Sequence, residues 1–298
     1  MRSEPRAAAR SAVLRLDAPA KLNLSLAVLG RRQDGYHLLA SVFVLLELAD
    51  ELLLTPDHAG LRVVSAAQDG LDAGERNLAW RGLLAGLEGA PAVLPGLALR
   101  KHVPVAAGLG GGSSDAAAAW RLARHWSAAA ERPSAEELVA LGVIGADVPF
   151  FAAQLPAAYV TGIGELVEAV PPPALREVVL ALPAFGLSTA AVFAESRPSD
   201  WSPTAPVRQA IPGTNDLLPA ARRLRPELDD LLRLVTAHGG EPHLTGSGPT
   251  VYSLSDDPQR ADELAARLRR AGVRTLRTRI APAATTIERI SQEEADSQ

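Results

Sequence analysis

The segment from Pro104 to Ala119 constrains this chain more than any other, because a cluster of glycines separates a strand-like run from an alanine-rich run. Its middle reads Gly108-Leu109-Gly110-Gly111-Gly112-Ser113-Ser114-Asp115. Glycine lets the backbone adopt positive φ and approach a ligand closely. Ser113, Ser114 and Asp115 are N-cap residue types, and the free N–H groups and positive dipole end of the helix that they would open attract an anion. The segment therefore predicts a phosphate-binding loop.

This loop differs from the two most common phosphate-binding motifs. No Lys-Ser or Lys-Thr pair follows the glycines, as a Walker A loop requires, and the G-x-G-x-x-G spacing of a dinucleotide fold is missing. A flexible Gly/Ser linker would have the same composition. The linker is disfavoured because the glycines lie directly between a predicted strand, residues 97–105, and a predicted helix, residues 113–131.

Composition excludes several classes of protein. The chain has 298 residues, a formal net charge of -4 and no cysteine, which disfavours nucleic-acid binding and excludes disulfides, thiolate metal sites and a cysteine nucleophile. Residues 1–10 lack the apolar centre of a signal peptide, and charges interrupt the longest apolar run, residues 38–54. We expect a cytoplasmic protein that binds neither nucleic acid nor membrane, as a monomer or weak homodimer.

The order of predicted elements favours two domains, residues 1–168 and 169–298. Strand-like runs open the chain, with a break predicted around Pro19. The three prolines Pro171-Pro172-Pro173 predict a loop near the proposed boundary. Beyond these prolines, strands and helices alternate, which predicts a smaller α+β sandwich. The polar residues 291–298 are expected to be frayed.

Lys21 and Asp147 are the candidate catalytic pair, because each charge is embedded in apolar neighbours. A buried ion without a partner costs several kcal/mol, so two such residues are expected to face each other. Beside a triphosphate, Asp147 would orient or deprotonate an attacking hydroxyl, and Lys21 would stabilise the transferring phosphoryl group. Taken singly, each residue also fits a solvated lysine or a loop aspartate, and only the combination with the glycine loop favours phosphoryl transfer.

Three segments of the chain resemble the motifs of the GHMP kinase superfamily: residues 19–23, 104–117 and 244–250. Within that superfamily, residues 18–24, 32–37, 145–151 and 215–217 are similar to the kinases of 4-diphosphocytidyl-2-C-methyl-D-erythritol. The resemblance implies an α+β, two-domain GHMP kinase fold, with an N-terminal mixed-sheet nucleotide-binding domain and a C-terminal ferredoxin-like α/β sandwich. It also implies an ATP- and Mg²⁺-dependent kinase that phosphorylates the 2-hydroxyl of that small-molecule substrate in the non-mevalonate isoprenoid pathway.

The resemblance assigns roles residue by residue, with Lys21 and Asp147 as the catalytic pair. It places ATP on Asn77, Pro104, Gly108, Leu109, Gly110, Gly111, Gly112, Ser113, Ser114 and Asp115. It places the substrate on Asn23, Tyr36, His37, Asp147, Thr189, Phe193, Gly246, Ser247 and Gly248. Tyr36 and Phe193 would stack on the cytosine, which is worth roughly 1 to 3 kcal/mol per aromatic contact. The Mg²⁺ ligands are left open, with Ser114 as the one candidate.

Other interpretations remain at this stage. Asp34-Gly35-Tyr36-His37 also fits a plain hairpin turn, and residues 245–248 also fit a tight turn between strands. Mevalonate, homoserine and galactose kinases share the glycine loop but lack the Asp-Gly-Tyr-His turn, and a catalytically silent ligand sensor would keep the fold alone. Two segments depart from the family pattern: residues 141–145 are one residue short, and residues 44–49 lack the usual glutamine and aromatic residues.

Overall fold

The computed structural model describes residues 12–56, 60–64, 74–87, 94–174, 177–205 and 208–297. The chain start used for the signal-peptide prediction lies outside these residues. No helix among the described residues has both the length and the apolar character needed to cross a bilayer.

A seven-stranded sheet forms the first layer. Its strands are β1 (Val13–Arg31), β2 (His37–Thr55), β3 (Gly60–Val64), β4 (Gly96–Arg100), β5 (Ala157–Gly162), β6 (Leu166–Ala169) and β11 (Glu288–Ile290). The order is β11-β1-β2-β4-β3, and β5 pairs with both β2 and β6. The parallel pair β3–β4 among antiparallel neighbours makes the sheet mixed, as predicted.

The described residues of this part form helices α1 (Leu78–Gly86), α2 (Gly111–Trp126), α3 (Ala135–Leu141) and α4 (Val148–Ala152). Helix α2 is central, because its alanines at 116–119 are buried and pack towards both the sheet and α4. Burial of small side chains lets the helix lie close to the sheet, so its N-terminus is held at a fixed place beside β1.

Strand β1 is continuous, so the predicted break at Pro19 is wrong. The strand passes the proline by shifting register between Pro19 and Lys21, and it shifts again between Asn23 and Ser25. A proline has no N–H for the ladder, and a bulge is one of the places where a strand tolerates it. The two irregularities flank Lys21 and Asn23, the polar residues of this strand that were predicted to be functional.

A four-stranded antiparallel sheet forms the second layer, from β7 (Glu177–Leu182), β8 (His243–Leu244), β9 (Val251–Ser255) and β10 (Arg274–Arg279). Its helices are α5 (Thr189–Glu195), α6 (Leu218–Leu224), α7 (Glu227–Ala237) and α8 (Pro258–Arg270), with a 3₁₀ turn at Pro198–Asp200. The spatial order β10-β7-β9-β8 and the alternation of strands and helices are those of a ferredoxin-like sandwich. The predicted fold class is confirmed.

The end of the chain returns to the first sheet. Strand β11 pairs with the beginning of β1, and helix α9 (Gln292–Ser297) follows it. The prediction that residues 291–298 are frayed is therefore wrong for residues 292–297. The predicted boundary after residue 168 falls one residue before the end of β6, and β11 belongs to the first layer although it lies in the second predicted domain. The two layers also share one apolar core, in which Leu22 and Leu24 pack with Val178, Leu180 and Tyr252.

Candidate active site

A cavity of about 970 Å³ lies where β1, the glycine loop, the Asp147 loop, helix α5 and the 245–248 loop meet. Most of the residues predicted from the sequence line it. They are Lys21, Asn23, Tyr36, His37, Asn77, Pro104, Gly108, Leu109, Gly110, Gly111, Gly112, Ser113, Asp115, Asp147, Thr189, Phe193, Gly246 and Ser247. Ser114 and Gly248 are the two predicted site residues that do not line it.

Lys21 and Asp147 face each other, as the sequence predicted. Lys21 Nζ lies 3.3 Å from Asp147 Oδ2, with the lysine side chain only 5% exposed and the aspartate 28% exposed. Asp147 directly precedes α4, where Val148 and Pro149 are buried. The Asp147 carboxylate thus contacts Lys21 although the preceding segment, residues 141–145, is one residue short.

Further contacts fix the Lys21 side chain. Its Nζ donates to Asn23 Oδ1 at 2.6 Å and lies 4.7 Å from the centroid of the Phe43 ring. Its backbone N–H donates to Leu109 O in the glycine loop at 2.9 Å. The ammonium is therefore desolvated and held against the loop that was predicted to bind phosphate.

Asn23 is held from both layers of the molecule. Its side-chain amide donates to Ser41 Oγ at 2.9 Å, while its backbone N–H donates to Thr245 Oγ1 at 3.1 Å. Its carbonyl accepts a hydrogen bond from Tyr252 OH at 3.0 Å. Because the neighbouring bulges disturb the β1–β2 ladder here, side chains of the second layer fix the peptide groups of Asn23.

The glycine loop ends in a helix N-terminus that faces the cavity. Helix α2 begins at Gly111, with Gly110 as N-cap at φ 71° and without a side-chain cap. The first intrahelical bond runs from Ser114 N–H to Gly110 O at 2.9 Å, so the N–H groups of Gly111, Gly112 and Ser113 precede it. The prediction that Ser113, Ser114 and Asp115 cap the helix is wrong, because the helix starts before them.

Asp115 lies in a buried ion cluster at the back of the loop. Lys101 Nζ is 2.7 Å from Asp115 Oδ2 and also contacts Asp50 Oδ2. Burial raises the pKa of Asp115, with the charge of Lys101 opposing that rise and that of Asp50 adding to it. Burial lowers the pKa of Lys101, but the two carboxylates outweigh it and the net direction is upward.

An aromatic cluster forms the opposite end of the cavity. The His37 ring is stacked on Phe193, with 5.2 Å between centroids, and the Trp201 ring meets His37 edge-on at 5.7 Å. Burial, followed by the charge of Arg31, lowers the pKa of His37, which favours the neutral imidazole at pH 7. Tyr36 is 60% exposed at the rim. The His37 ring covers one side of Phe193, and the predicted stacking of a cytosine between Tyr36 and Phe193 stays a prediction.

The 245–248 loop approaches the glycine loop closely. A Cβ on Gly108 would lie 2.7 Å from Thr245 O and 2.9 Å from Gly248 O, so only glycine fits there. Asn215 Nδ2 donates to Leu244 O and Gly246 O at 2.9 and 2.8 Å, which fixes the loop. Ser247 Oγ and Thr189 Oγ1 are 2.9 Å apart. Gly248 does not line the cavity, but its backbone packs against Gly108 in the glycine loop.

Ser114 points away from the main cavity. Its hydroxyl is buried and lines a small second cavity together with Asp17, Arg121 and Thr285. The assignment of Ser114 to Mg²⁺ stays a prediction, although Ser114 does not line the main cavity. Of the two neighbouring serines, Ser113 is the one that lines the main cavity.

Sequence reasoning missed several residues of the site, namely Ser41, Phe43, Asp50, Arg76, Lys101 and Trp201. Lys101 alone carried a usable signal, as a cation just before a predicted phosphate loop. Ser41 and Phe43 lie in a strand whose pattern is that of ordinary core, and Trp201 reaches His37 from a distant loop.

Comparison with protein-family models defines the class. The model "GHMP kinases N terminal domain" matches residues 77–154, and "GHMP kinases C terminal" matches residues 205–274. The first match spans the glycine loop and Asp147, and the second spans the loop at 245–248. The fold is that of this class of small-molecule kinase.

Individual relatives narrow the class to a family. The chain is 39% identical over 270 residues to 4-diphosphocytidyl-2-C-methyl-D-erythritol kinase from Paracoccus denitrificans, covering 86% of this chain and 91% of the relative. It is 39% identical over 274 residues to the protein of the same name from Paramagnetospirillum magneticum, covering 85% and 93%. A crystal structure of 4-(cytidine 5'-diphospho)-2C-methyl-D-erythritol kinase superposes with a TM-score of 0.75 at 32% identity, covering 89% and 98%. The chain belongs to the 4-diphosphocytidyl-2-C-methyl-D-erythritol kinase family.

Proposed function

We propose that this protein transfers the γ-phosphoryl group of ATP to the 2-hydroxyl of 4-diphosphocytidyl-2-C-methyl-D-erythritol, in the non-mevalonate route to isoprenoid precursors. The observation that carries the proposal is that the Lys21–Asp147 pair and the N-terminus of α2 face one cavity. Anion-binding amides and a carboxylate–ammonium pair are the parts that phosphoryl transfer needs. Family membership supports the choice of substrate.

In this proposal the glycine loop binds the ATP phosphates. The unpaired N–H groups at the start of α2 and the positive end of its dipole attract the anion, and the residues from Gly108 to Gly112 leave space for it. Pro104 and Asn77 line the same side of the cavity and would contact the nucleoside part.

Asp147 is the proposed base. It accepts the proton of the 2-hydroxyl as that oxygen attacks the γ-phosphorus, while the bond from that phosphorus to the β–γ bridging oxygen breaks and ADP leaves. Lys21 forms a 3.3 Å ion pair with Asp147 and lies close enough to stabilise the developing phosphoryl charge. Asn23 holds Lys21 in that position.

The aromatic end of the cavity is the proposed cytidine site. A neutral His37 ring has one donor and one acceptor nitrogen, which suits the mixed donor and acceptor edge of cytosine. Tyr36 is exposed at the rim and free to stack on the base, and the outer side of Phe193 extends the same wall. Thr189, Gly246 and Ser247 would contact the middle of the substrate.

Mg²⁺ is proposed to enter with ATP. Proteins usually hold this ion through one or two oxygen ligands, with phosphates and waters completing the shell. Ser113 and Asp147 are oxygen-bearing side chains that line the cavity, so the donor set fits. When bound, the ion would neutralise phosphate charge. A cytoplasmic location and a monomeric or weakly dimeric state stay predictions.

A substrate panel tests the proposal. With ATP and Mg²⁺, we expect turnover of 4-diphosphocytidyl-2-C-methyl-D-erythritol and at least about 100-fold lower kcat/KM for mevalonate, homoserine and galactose, because the aromatic site has nothing to bind in them. Formation of ADP and of the phosphorylated product is followed by chromatography. Comparable activity on mevalonate would reject the substrate assignment, and the absence of turnover on every acceptor would indicate a ligand sensor.

A further inference from the structure

The glycine loop begins and ends at residues that are joined behind it by buried ions. Lys101 follows β4 directly, and Asp115 lies in the first turns of α2, yet Lys101 Nζ is 2.7 Å from Asp115 Oδ2. Asp50, in β2, is fully buried and contacts the same ammonium. The Lys101, Asp115 and Asp50 side chains are 4%, 4% and 0% exposed, so water screens this cluster very little.

Asp50 also holds the first peptide groups of the loop. Its Oδ1 accepts the backbone N–H of His102 at 2.5 Å and that of Val103 at 2.8 Å. One carboxylate therefore fixes the direction in which the chain leaves β4, while Lys101 connects that point to the beginning of α2.

Joining three elements through buried ions costs desolvation free energy. Removing ions from water costs several kcal/mol each, and apolar residues of similar volume often give equal or greater stability. Here two carboxylates share one ammonium, and within the described residues the buried Asp115 Oδ1 has no hydrogen-bond partner. Such an arrangement contributes little net stability, whereas its directional contacts define the position of the loop ends.

The position of Lys101 connects the cluster to the anion site. A Cβ built on Gly111 would lie 3.3 Å from Lys101 Nζ, so the ammonium lies against the residue at which α2 starts. Both Lys101 and Asp115 line the main cavity. A shift of this cluster would therefore move the N–H groups of Gly111, Gly112 and Ser113.

We propose that Asp50, Lys101 and Asp115 are positioning residues that fix both ends of the glycine loop and so align the amides of α2 with the nucleotide phosphates. This inference rests on the proposed function for the identity of the nucleotide. It predicts that loss of the cluster weakens ATP binding more than it weakens binding of the phosphoryl acceptor.

Calorimetric titration of the full chain with ATP and Mg²⁺ tests this proposal without requiring turnover. Lys101→Met, which keeps the length of the side chain, is expected to raise the Kd for ATP by about tenfold or more, since small misplacements of binding groups have large effects. Asp115→Ala should do the same, and Asp115→Asn, which keeps an acceptor for Lys101, should recover most of the affinity. The KM for 4-diphosphocytidyl-2-C-methyl-D-erythritol should change less than twofold.

Arg277→Met is the matched control, because it removes the ion pairs of Arg277 with Glu177 and Asp262 in the second layer, outside the cavity. It should lower the melting temperature and leave the Kd for ATP unchanged. A folded Lys101→Met with the parental Kd overturns the proposal, as does a loss of affinity matched by the control. If Lys101→Met does not fold, the comparison of Asp115→Ala with Asp115→Asn tests the proposal instead. An equal rise in the Kd for ATP in these two variants, or no rise in either, overturns the proposal. If the parent binds ATP but has no turnover, the proposed function fails while this test still stands.

Discussion

At the scale of single residues, the site depends on how closely the glycine loop approaches Lys21. Gly110 has φ 71°, and a Cβ on it would lie 2.9 Å from Lys21 Cγ and 3.0 Å from Phe151 Cζ. The positive φ disfavours any L side chain by about 1 to 2 kcal/mol. The contact would also displace the Lys21 side chain, because Phe151 is buried and cannot yield easily.

Gly110→Ala is therefore expected to lower kcat/KM by about 100-fold, since a shift of about 1 Å in a catalytic group has effects of that size. Steady-state kinetics with the cytidine substrate measures this. Gly186→Ala is the control, because a Cβ on Gly186 would have no heavy atom within 4 Å and the residue has no positive φ. Parental activity in Gly110→Ala would mean that the loop is not pressed against Lys21 in solution.

At the scale of elements, the irregular part of β1 links the two layers. Register shifts on both sides of Lys21 and Asn23 interrupt the β1–β2 ladder there. The backbone N–H of Asn23 donates to Thr245 Oγ1 instead, and its carbonyl accepts a hydrogen bond from Tyr252 OH. Tyr252 lies in β9 and is 1% exposed, with its hydroxyl donating to Asn23 O. Strand β1 is thus held at Asn23 by hydrogen bonds across the layer boundary.

Tyr252→Phe removes the hydrogen bond to Asn23 O and the longer, 3.5 Å contact of the same hydroxyl with Leu24 O, and keeps the aromatic ring. We expect the free energy of unfolding to fall by about 1 kcal/mol and kcat to fall by about threefold to tenfold, because Asn23 and Lys21 lose a support. Chemical denaturation and steady-state kinetics measure the two effects. Tyr159→Phe, at a buried tyrosine in β5 outside the cavity, should leave kcat unchanged. A parental kcat in Tyr252→Phe would show that Asn23 needs no support from β9.

The elements also show which parts of the site were predictable. The glycine loop, α2 and the Lys21–Asp147 pair were predicted because each has a local pattern or an unpaired charge in apolar sequence. The start of α2 was misplaced, because serines and aspartate favour caps but can equally point inward, as Ser114 does. Asp50 and Lys101 are 51 residues apart, and no local pattern reveals that they meet. The pairing of β11 with β1 is likewise a long-range event.

At the scale of the whole molecule, two layers of different topology enclose one cavity with two unlike ends. The helix N-terminus and the glycine loop form an anionic-ligand end, and His37, Phe193 and Trp201 form an aromatic end. Lys21, on β1, and Asp147, on the loop before α4, face each other in the same cavity. ATP at the first end and an acceptor that carries an aromatic base at the second match these two environments better than ATP with a small alcohol does.

The most direct test of phosphoryl transfer at this cavity is the turnover of ATP with 4-diphosphocytidyl-2-C-methyl-D-erythritol by the parent chain and by Asp147→Asn. The amide keeps the shape and one acceptor but cannot take the proton, so kcat should fall by about 10² to 10⁴ while the Kd for ATP stays within a few-fold of the parent value. An Asp147→Asn variant that keeps more than half of the parental kcat would contradict the account.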